Sequence, residues 1–477
     1  MAIDLFTKWC PGIARYAPAV TGSAMLAAAL LPGGLVAWPR VSALLLAAAT
    51  CGWGIAVAGS REPIGPRGGL ALFLLPVVGL VAEPSLSDDI YRYVHEGRAS
   101  RVDLSLPYEV APASFAPPPD DGISALVNHP EIPAVYPPFS QLLFALLAWV
   151  GDILHRPQAP FRVCFAACHL AIILVLYRRQ RGCPRTLLAY ALHPLPFVEG
   201  VIGAHVDMVG VALVMLSLHL RASTLWPGVA LGLACGVKPL ATFAVWGLPR
   251  QRGLVLPIAG LALGVLLPVS PYLAKGTQLT AGLVEYGTRW EAQPTGYALV
   301  HGLVAPAIRR YEAHEGYTHL HVQTSPPGLL VETAGVPRFV LGFAATSSRP
   351  LLVDAHLAAR VLCLALFLGC AVLLLRSCRD PLRATTYVFA AFFLFSPTMH
   401  PWYLLWVMPT AVLSSSWSVL AFAATAPFCY EAAIGAHMGE AWTEAWWPRC
   451  VMFGSALFGA TIELRQWRCS GATTTPH

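Results

Sequence analysis

The stretch "LAARVLCLALFLGCAVLLL", residues 357–375, contains a single charged side chain. The hydrocarbon core of a bilayer takes roughly 20 apolar residues of α-helix, so this run predicts a membrane-spanning helix. The rest of the chain has the same character, because 56% of its 477 residues are hydrophobic and only 12% are charged. The mean hydropathy is +0.60, far from the value of a soluble domain. We therefore predict an all-α, integral membrane protein.

Apolar runs continue from one end of the chain to the other. They predict a polytopic protein with roughly 12–14 transmembrane helices, built as one membrane domain over residues 1–477. The first run lacks a small-residue cleavage site, so we interpret it as an uncleaved span. The runs lie at residues 19–36, 41–57, 70–81, 161–177, 187–202, 206–220, 225–237, 240–248, 254–273, 357–375, 386–395, 402–413, 419–429 and 447–462.

Short loops rich in Lys and Arg stay in the cytoplasm, and this rule orients the chain. All such clusters face inward if the segment 138–150 does not cross the membrane but lies outside as a juxtamembrane helix. Two polar stretches are then external, Glu83 to Pro137 and Lys275 to Asp354. They belong to a first external loop with juxtamembrane helices, residues 83–160, and a second external loop, residues 275–355. The clusters are at residues 61–67, 178–185, 250–252, 376–383 and 465–468.

Cysteine and charge exclude other classes of protein. None of the 12 cysteines lies in either external loop, so a disulfide framework is not expected. The net charge of +6 comes from the inward-facing arginines, and no stripe of basic and aromatic residues indicates nucleic-acid binding.

The first external loop opens with "SLSDDIYRYVHEGR", residues 85–98, which concentrates ionisable groups in an otherwise apolar chain. Ser and Asp favour the first position of a helix, so a helix is predicted just after the aspartates. Asp88, Arg92 and His95 then share one face, and Asp89 shares an overlapping face with Arg92. A carboxylate and a guanidinium placed together can hold a sugar and a phosphate. The alternative is that an aspartate caps the helix while the arginines reach lipid head groups.

Polar residues also interrupt the apolar runs further along the chain. His205 and Asp207 in "IGAHVDM" lie between two runs, where charge is costly, so a functional or paired role is expected, although Asp207 could simply begin the next helix. Lys238 is a candidate phosphate ligand, and contact with lipid head groups is its alternative role. His400 in "SPTMHPWYLLW" is a candidate ligand of sugar or phosphate, whereas the Trp and Tyr after it are typical of interface anchors.

The histidines of the second external loop are not interpreted as a metal site. His314, His319 and His321 lie near Glu312 and Glu315, but their spacing is loose and Gly interrupts any helix. We predict a solvated loop there and no metal.

Six motifs, taken in order, resemble those of a known family. "SDDIYRYVHEGR" is followed by "LPY" and by "NHPEIPAVYPPFSQLLFAL", which contains Tyr136, and later by "FVEGVIGAHVDMVGVAL", "GLACGVKPLATF" and "FSPTMHPWYLLWVMP". This series resembles the bacterial polyprenyl-phosphate-sugar mannosyltransferases, which belong to the GT-C superfamily of glycosyltransferases. The segment "YEAHEGYTHLHVQTSPPG" of the second external loop has no counterpart in the resemblance, so the acceptor stays open.

The resemblance implies that a hexose, mannose above all, moves from a polyprenyl-phosphate donor to a glycan or glycolipid acceptor on the external face, with no cofactor. Such a protein would lie in the bacterial inner membrane among lipids. The reaction inverts the anomeric carbon and needs a general base, for which Asp88 is narrowly favoured over Asp89. Cations stabilise the departing phosphate. The candidate cations are Arg92, Arg98 and Lys238, and the other candidate substrate ligands are His95, Tyr136, His205, Asp207 and His400.

Two other classes of protein fit parts of the pattern. A transporter or flippase would also have many spans and buried charges, but the chain shows no inverted repeat, and its ionisable residues gather at one face. A scaffold protein would have no need of the paired acids and arginines.

The first prediction concerns topology. We expect both chain ends in the cytoplasm and both external loops outside, because every short arginine-rich loop is then inside. Cysteines introduced at Ser114 or Thr324, in a protein without native cysteines, should react with impermeant reagents added from outside. Labelling only from the cytoplasm would contradict this topology.

Overall fold

The chain is described by a computed structural model that covers most of the sequence. Backbone is described for residues 11–60, 64, 66–82, 86–119, 121–179, 184–220, 224–247, 255–292, 295–315, 321–325, 328–333, 336–340, 351–352, 355–438 and 444–471. Ser85 and the arginine cluster 250–252 lie outside these residues. The side chains of the histidine segment in the second external loop, residues 312–321, also lie outside what is described, so the prediction that it binds no metal stays open.

The described chain is mostly helical. Its α-helices are Pro11–Ala29, Gly34–Ala37, Pro39–Gly59, Pro66–Gly79, Asp89–Val102, Leu106–Glu109, Pro138–Ile153, Ala159–Arg179, Pro184–Ala191, Asp207–His219, Trp226–Cys235, Val255–Val269, Ala281–Arg289, Gly296–Glu315, Ala355–Ser377, Pro381–Phe395, Met408–Ser414, Trp417–Thr425, Glu431–His437 and Trp447–Gly471. A π-helix runs over Pro196–Ile202. The 3₁₀-helices are Pro112–Ser114, Ile123–Leu126, Pro239–Gly247, Ser270–Thr280, Pro401–Val407 and Ala426–Tyr430.

The helices confirm an all-α, polytopic membrane protein. Within the described residues, five helices are long and apolar enough to cross a bilayer, and a bent pair makes a sixth candidate. Shorter apolar helices accompany them, so the number of crossings, like the single-domain organisation, stays a prediction. The five are Pro39–Gly59, Ala159–Arg178, Val255–Leu273, Ala355–Ser377 and Trp417–Gly435.

The second external loop adds a feature that the sequence did not predict. Its strands β1 (His321–Ser325), β2 (Gly328–Thr333), β3 (Val336–Val340) and β4 (Leu351–Leu352) form an antiparallel sheet in the order β3–β2–β1–β4. The sheet lies outside the predicted apolar runs, so it adds to the helical membrane part without altering it.

The bent pair brings polar residues into the interior. The π-helix Pro196–Ile202 and the helix Asp207–His219 meet at 119°. The break contains Ala204, whose φ of 53° is in the left-handed region that residues with a Cβ seldom adopt. Such breaks leave backbone groups at membrane depth only where protein surrounds them, and residues 203–208 are fully buried. The break therefore presents His205 and Asp207 to the protein interior.

A pair of glycine motifs brings two membrane helices into close contact. Gly228 and Gly232 on Trp226–Cys235 face Gly260 and Gly264 on Val255–Val269. A Cβ at Gly228 would lie 1.9 Å from a backbone oxygen of the facing helix, and one at Gly264 would lie 2.4 Å from another. Small residues four apart allow such close packing in a membrane.

The first external loop contains two packed helices, which we call the loop helix (Asp89–Val102) and the proline helix (Pro138–Ile153). The loop helix begins at Asp89, one residue earlier than the sequence predicts. The two helices touch at Gly97, where a Cβ would lie 2.3 Å from the carbonyl oxygen of Phe144. Only glycine therefore fits at this contact, which fixes the loop helix against the proline helix.

We predict that Gly97→Ala separates the two loop helices. A methyl group forced against backbone costs roughly 1–3 kcal/mol, so the melting temperature of the purified protein in detergent should fall. Gly54→Ala is the matched control, because a Cβ at that helical glycine meets nothing within 4 Å. Alanine is the better helix former, so Gly54→Ala should not lower the melting temperature. Equal melting temperatures for both variants would contradict this account of Gly97.

Candidate active site

A large cavity lies beside the start of the loop helix. Its volume is about 1140 Å³. Six of the ten predicted site residues line it, whereas the other four are buried behind its wall or elsewhere in the loop. The six are Asp88, Asp89, Arg92, Tyr136, Lys238 and His400.

Two neighbouring carboxylates share one amide at the cavity surface. The side-chain nitrogen of Asn128 donates to Oδ1 of Asp88 at 2.7 Å and to Oδ1 of Asp89 at 2.9 Å. The side chain of Asp88 makes no capping bond to the helix, although it occupies the capping position. The Oγ atom of Ser87 accepts the backbone N–H of Asp89 instead, at 3.3 Å. Both carboxylates are therefore held for contact with the cavity, and helix capping does not account for Asp88.

The two carboxylates differ in acidity. Burial, together with the adjacent charge of Asp89, raises the pKa of Asp88 above its usual value. Burial alone would raise the pKa of Asp89 too, but His205, Asn128 and Lys238 outweigh it, so the pKa of Asp89 is lowered. Asp88 is consequently the better proton acceptor of the two, and Asp89 is the more firmly ionised.

Asp89 is surrounded by hydroxyl and imidazole groups. The hydroxyls of Tyr93 and Tyr136 each donate to its Oδ2 atom at 3.4 Å. The Nε2 atom of His205 lies 3.9 Å from the same oxygen. These contacts orient the Asp89 side chain, while Asp88 stays exposed to the cavity.

Lys238 and Asp207 form a buried ion pair beside the aspartates. The ammonium donates to both carboxylate oxygens of Asp207, at 2.9 and 2.8 Å. The indole N–H of Trp406 donates to the same carboxylate at 2.6 Å. The ammonium also lies 4.6 Å from the ring centre of Tyr403, within the range of a cation–π contact. Asp207 is thus a paired charge that positions Lys238, as expected for an acid at this depth.

His205 and His400 both stack on Trp402. Each imidazole ring lies nearly parallel to the indole ring, with centroid distances of 4.3 and 4.2 Å. The Nδ1 atom of His205 contacts the backbone oxygen of Glu199 at 3.0 Å, and the hydroxyl of Tyr430 donates to the Glu199 carboxyl group at 2.8 Å. His205 is fully buried, so it supports the cavity wall from behind, whereas His400 and Trp402 face the cavity.

The guanidinium of Arg92 is almost fully engaged inside the protein. Its Nε atom donates to Glu96 at 2.9 Å, and both terminal nitrogens donate to backbone carbonyls of residues 128–133. A guanidinium has five N–H groups, and five acceptors surround this one. A phosphate could therefore bind Arg92 only if some of these bonds broke, and the predicted phosphate role of Arg92 stays a prediction.

His95 and Arg98 do not line the cavity. Arg98 donates to both oxygens of Asp121, at 2.9 and 2.8 Å, and to Asp152 at 2.7 Å. These bonds raise the pKa of Arg98 despite its burial. The Nδ1 atom of His95 lies 3.0 Å from Ser124, and burial together with two nearby arginines lowers its pKa to about 4. The structure thus places both residues in a network that fixes the loop, and their predicted contact with substrate stays untested.

Several cavity residues were not singled out by the sequence. Asn128 and His129 lie in the quoted motif "NHPEIPAVY", and their position in it was the available signal. Tyr286 and Trp290 come from the second external loop, which matched no motif. Tyr403, interpreted as an interface anchor together with Trp402, also lines the cavity.

One side of the cavity is apolar. Its residues come from the 3₁₀-helix Pro239–Gly247 and from the helices Ala355–Ser377 and Pro381–Phe395. Leu364 on this side is 56% exposed, so the apolar side reaches the outer surface of the membrane helices. The lining residues are Leu240, Cys363, Leu364, Phe367, Phe392 and Phe395.

The N-terminal half of the chain matches a family model. The model describes the N-terminal domain of alpha-(1→6)-mannopyranosyltransferases and matches residues 9–249, just over half of the chain. The chain belongs to this family. It is therefore a membrane glycosyltransferase, a mannosyltransferase, and the match covers the aspartate pair, Asn128, Tyr136 and Lys238.

Other comparisons add no relative to this mannosyltransferase. No curated protein and no solved structure matches the chain. Among the residues that the structure describes, no group of three or more His, Cys, Asp or Glu residues is arranged to hold a metal ion.

Proposed function

We propose that this mannosyltransferase transfers mannose from a polyprenyl-phosphate donor to a hydroxyl group of an acceptor on the external face of the bacterial inner membrane. The observation that carries the proposal is one cavity that combines a carboxylate pair, a lysine and an apolar side open to the membrane. A nucleotide-sugar donor has no need of the apolar side. A lipid-linked donor has a hydrocarbon chain to place there.

The donor phosphate is proposed to bind Lys238. An ammonium has three N–H groups, and Asp207 takes two of those of Lys238, which leaves one for a phosphate oxygen. The apolar side begins two residues later, at Leu240. A lipid phosphate at Lys238 would therefore have its chain directed along Leu240 and Phe367 towards the bilayer.

Asp88 is proposed as the general base. Its carboxylate is exposed to the cavity, its raised pKa favours proton uptake, and no described residue bonds its Oδ2 atom. Asp89, held by Tyr93 and Tyr136, keeps its negative charge and with Asn128 orients Asp88. Each aspartate thus has a separate role.

The proposed reaction is a single displacement. The acceptor oxygen forms a bond to the anomeric carbon of mannose as its proton passes to Asp88. The bond from that carbon to the phosphate oxygen breaks, and polyprenyl phosphate leaves with the electron pair. One displacement inverts the anomeric centre. The phosphate leaves as a stable anion beside Lys238, so the proposed reaction requires no cofactor.

The test of this proposal is transfer by the purified protein. Polyprenyl-phosphate mannose, the corresponding glucose and arabinose donors and GDP-mannose are each offered with α-1,6-linked mannobiose, and the products are analysed by mass spectrometry. We expect a trisaccharide from the lipid-linked mannose donor. Transfer from GDP-mannose alone would overturn the proposed donor.

Replacement of the aspartates separates their roles. Asp88→Asn keeps the size and the bond to Asn128 but removes the base, so turnover should fall by at least roughly a hundredfold. Asp89→Asn removes only a positioning charge, and a smaller loss of turnover is expected. Protein abundance and melting temperature serve as the folding controls. Full activity in both single variants and in the double variant would remove the catalytic interpretation of the pair.

The role of Lys238 is tested without leaving a buried charge unpaired, because an isolated Asp207 carboxylate would itself destabilise the protein. In the double variant Lys238→Gln/Asp207→Asn both charges are absent, and the KM for the donor should rise roughly tenfold or more through loss of a charge-assisted contact. Asp207→Asn alone keeps the ammonium and should raise the donor KM less. Equal donor KM values in the double variant and the wild type would show that the phosphate binds elsewhere.

A further inference from the structure

An aromatic wall connects the two external loops across the cavity. The ring of His129, from the first loop, lies 4.3 Å from the ring of Trp290, from the second loop, at 81°. Tyr286 stacks against Trp290 at 5.2 Å, and its hydroxyl lies 2.5 Å from that of Tyr403. All four residues line the cavity. The wall thus runs from the carboxylate pair, next to His129, to the Lys238 end, next to Tyr403.

Only one end of this wall is close to the proposed base. His129 follows Asn128, whose amide holds Asp88. Tyr403 is covered by the Lys238 ammonium, where the donor phosphate is proposed to bind. An acceptor whose hydroxyl contacts Asp88 without displacing the donor must therefore approach along the His129 and Trp290 end.

Two arginines fix the backbone segments that carry His129 and Trp290. Arg92 donates to the backbone carbonyls of Asn128 and His129, at 2.9 and 3.3 Å. Arg360 donates to the carbonyls of Gly287 and Trp290, at 2.7 and 3.0 Å. Both segments are therefore fixed before any ligand binds, which lowers the entropic cost of binding.

Further bonds fix the Trp290 segment to the membrane helices. The hydroxyl of Thr398 donates to the same carbonyl of Trp290 at 3.0 Å. The backbone N–H of Ala292 donates to the carbonyl of Pro397 at 3.2 Å, and the carbonyl of Ala292 accepts from the N–H of Met399 at 2.8 Å. A rigid aromatic ring next to a half-exposed imidazole suits a ligand that has both C–H faces and hydroxyl groups.

We propose that His129 and Trp290 form the binding site for the acceptor, and that the acceptor is a pyranose of a glycan chain. This inference rests on the proposed function, because it places the acceptor by reference to Asp88. The second external loop is then a part of the acceptor site through Trp290. A hydrocarbon-like acceptor without a sugar ring would gain nothing from the polar groups at this end.

The test measures donor and acceptor KM values separately, with polyprenyl-phosphate mannose and α-1,6-linked mannobiose. Trp290→Ala and His129→Ala should each raise the acceptor KM roughly tenfold, while the donor KM changes less than about twofold. Trp290→Phe keeps a ring and should lose less than Trp290→Ala. Trp226→Ala is the matched control, because Trp226 is 63% exposed on a membrane helix and does not line the cavity.

A double variant tests whether the two rings act as one site. Trp290→Ala combined with His129→Ala should raise the acceptor KM by less than the product of the single effects, because residues in contact are coupled. An unchanged acceptor KM in both single variants would overturn the inference. A parallel rise of donor and acceptor KM would also overturn it, since it would indicate a general loss of structure.

Failure of the proposed function is distinguishable from failure of this inference. If the wild-type protein transfers nothing from the polyprenyl-phosphate donor, the proposed donor is wrong, and binding of mannobiose is measured by saturation-transfer NMR. A signal that Trp290→Ala abolishes and Trp226→Ala retains would support the acceptor site on its own. Equal signals for the wild type and Trp290→Ala would overturn it.

Discussion

The structure of the candidate site depends on one buried guanidinium. Arg92 is 4% exposed and bonds both Glu96, one turn along the same helix, and the carbonyls of residues 128–133. Those carbonyls belong to a loop that would otherwise bury unpaired backbone groups, which costs free energy. The bonds place Asn128 beside the two aspartates, and the positions of both carboxylates at the cavity depend on this placement.

The sequence predicted the elements of the first external loop but not how they face one another. Helical spacing placed Asp88 and Arg92 on one side of a helix, and the loop helix does begin after Asp88. Spacing could not show that Arg92 binds a segment some 40 positions away instead of a ligand. Nor could it show that the backbone N–H of Asp89 bonds Ser87, so that the Asp88 side chain takes no part in capping the helix. Such contacts between distant segments depend on tertiary packing, which has no local pattern.

The second external loop was the least predictable part. Trp290 lies in a polar stretch without an apolar period, so its sequence gave no reason to place it beside His129. Its position depends on Arg360 and Thr398, which lie 70 and 108 positions further along the chain. The antiparallel strands of the same loop were missed because short strands in a polar loop show no clear alternation. By contrast, five of the predicted apolar runs coincide with helices long and apolar enough to cross a bilayer, since length and hydropathy decide such helices.

The short helix Trp226–Cys235 has a consequence for the surrounding lipid. Ten residues of α-helix rise only about 15 Å, half of a hydrocarbon core roughly 30 Å thick, so both ends of this helix cannot reach the bilayer surfaces. Close glycine contacts join it to Val255–Val269, and Lys238 lies three positions after its last residue. At least one end of this helix therefore lies within the hydrocarbon core of an undeformed membrane. The bilayer beside the helix is expected to thin locally to match its length.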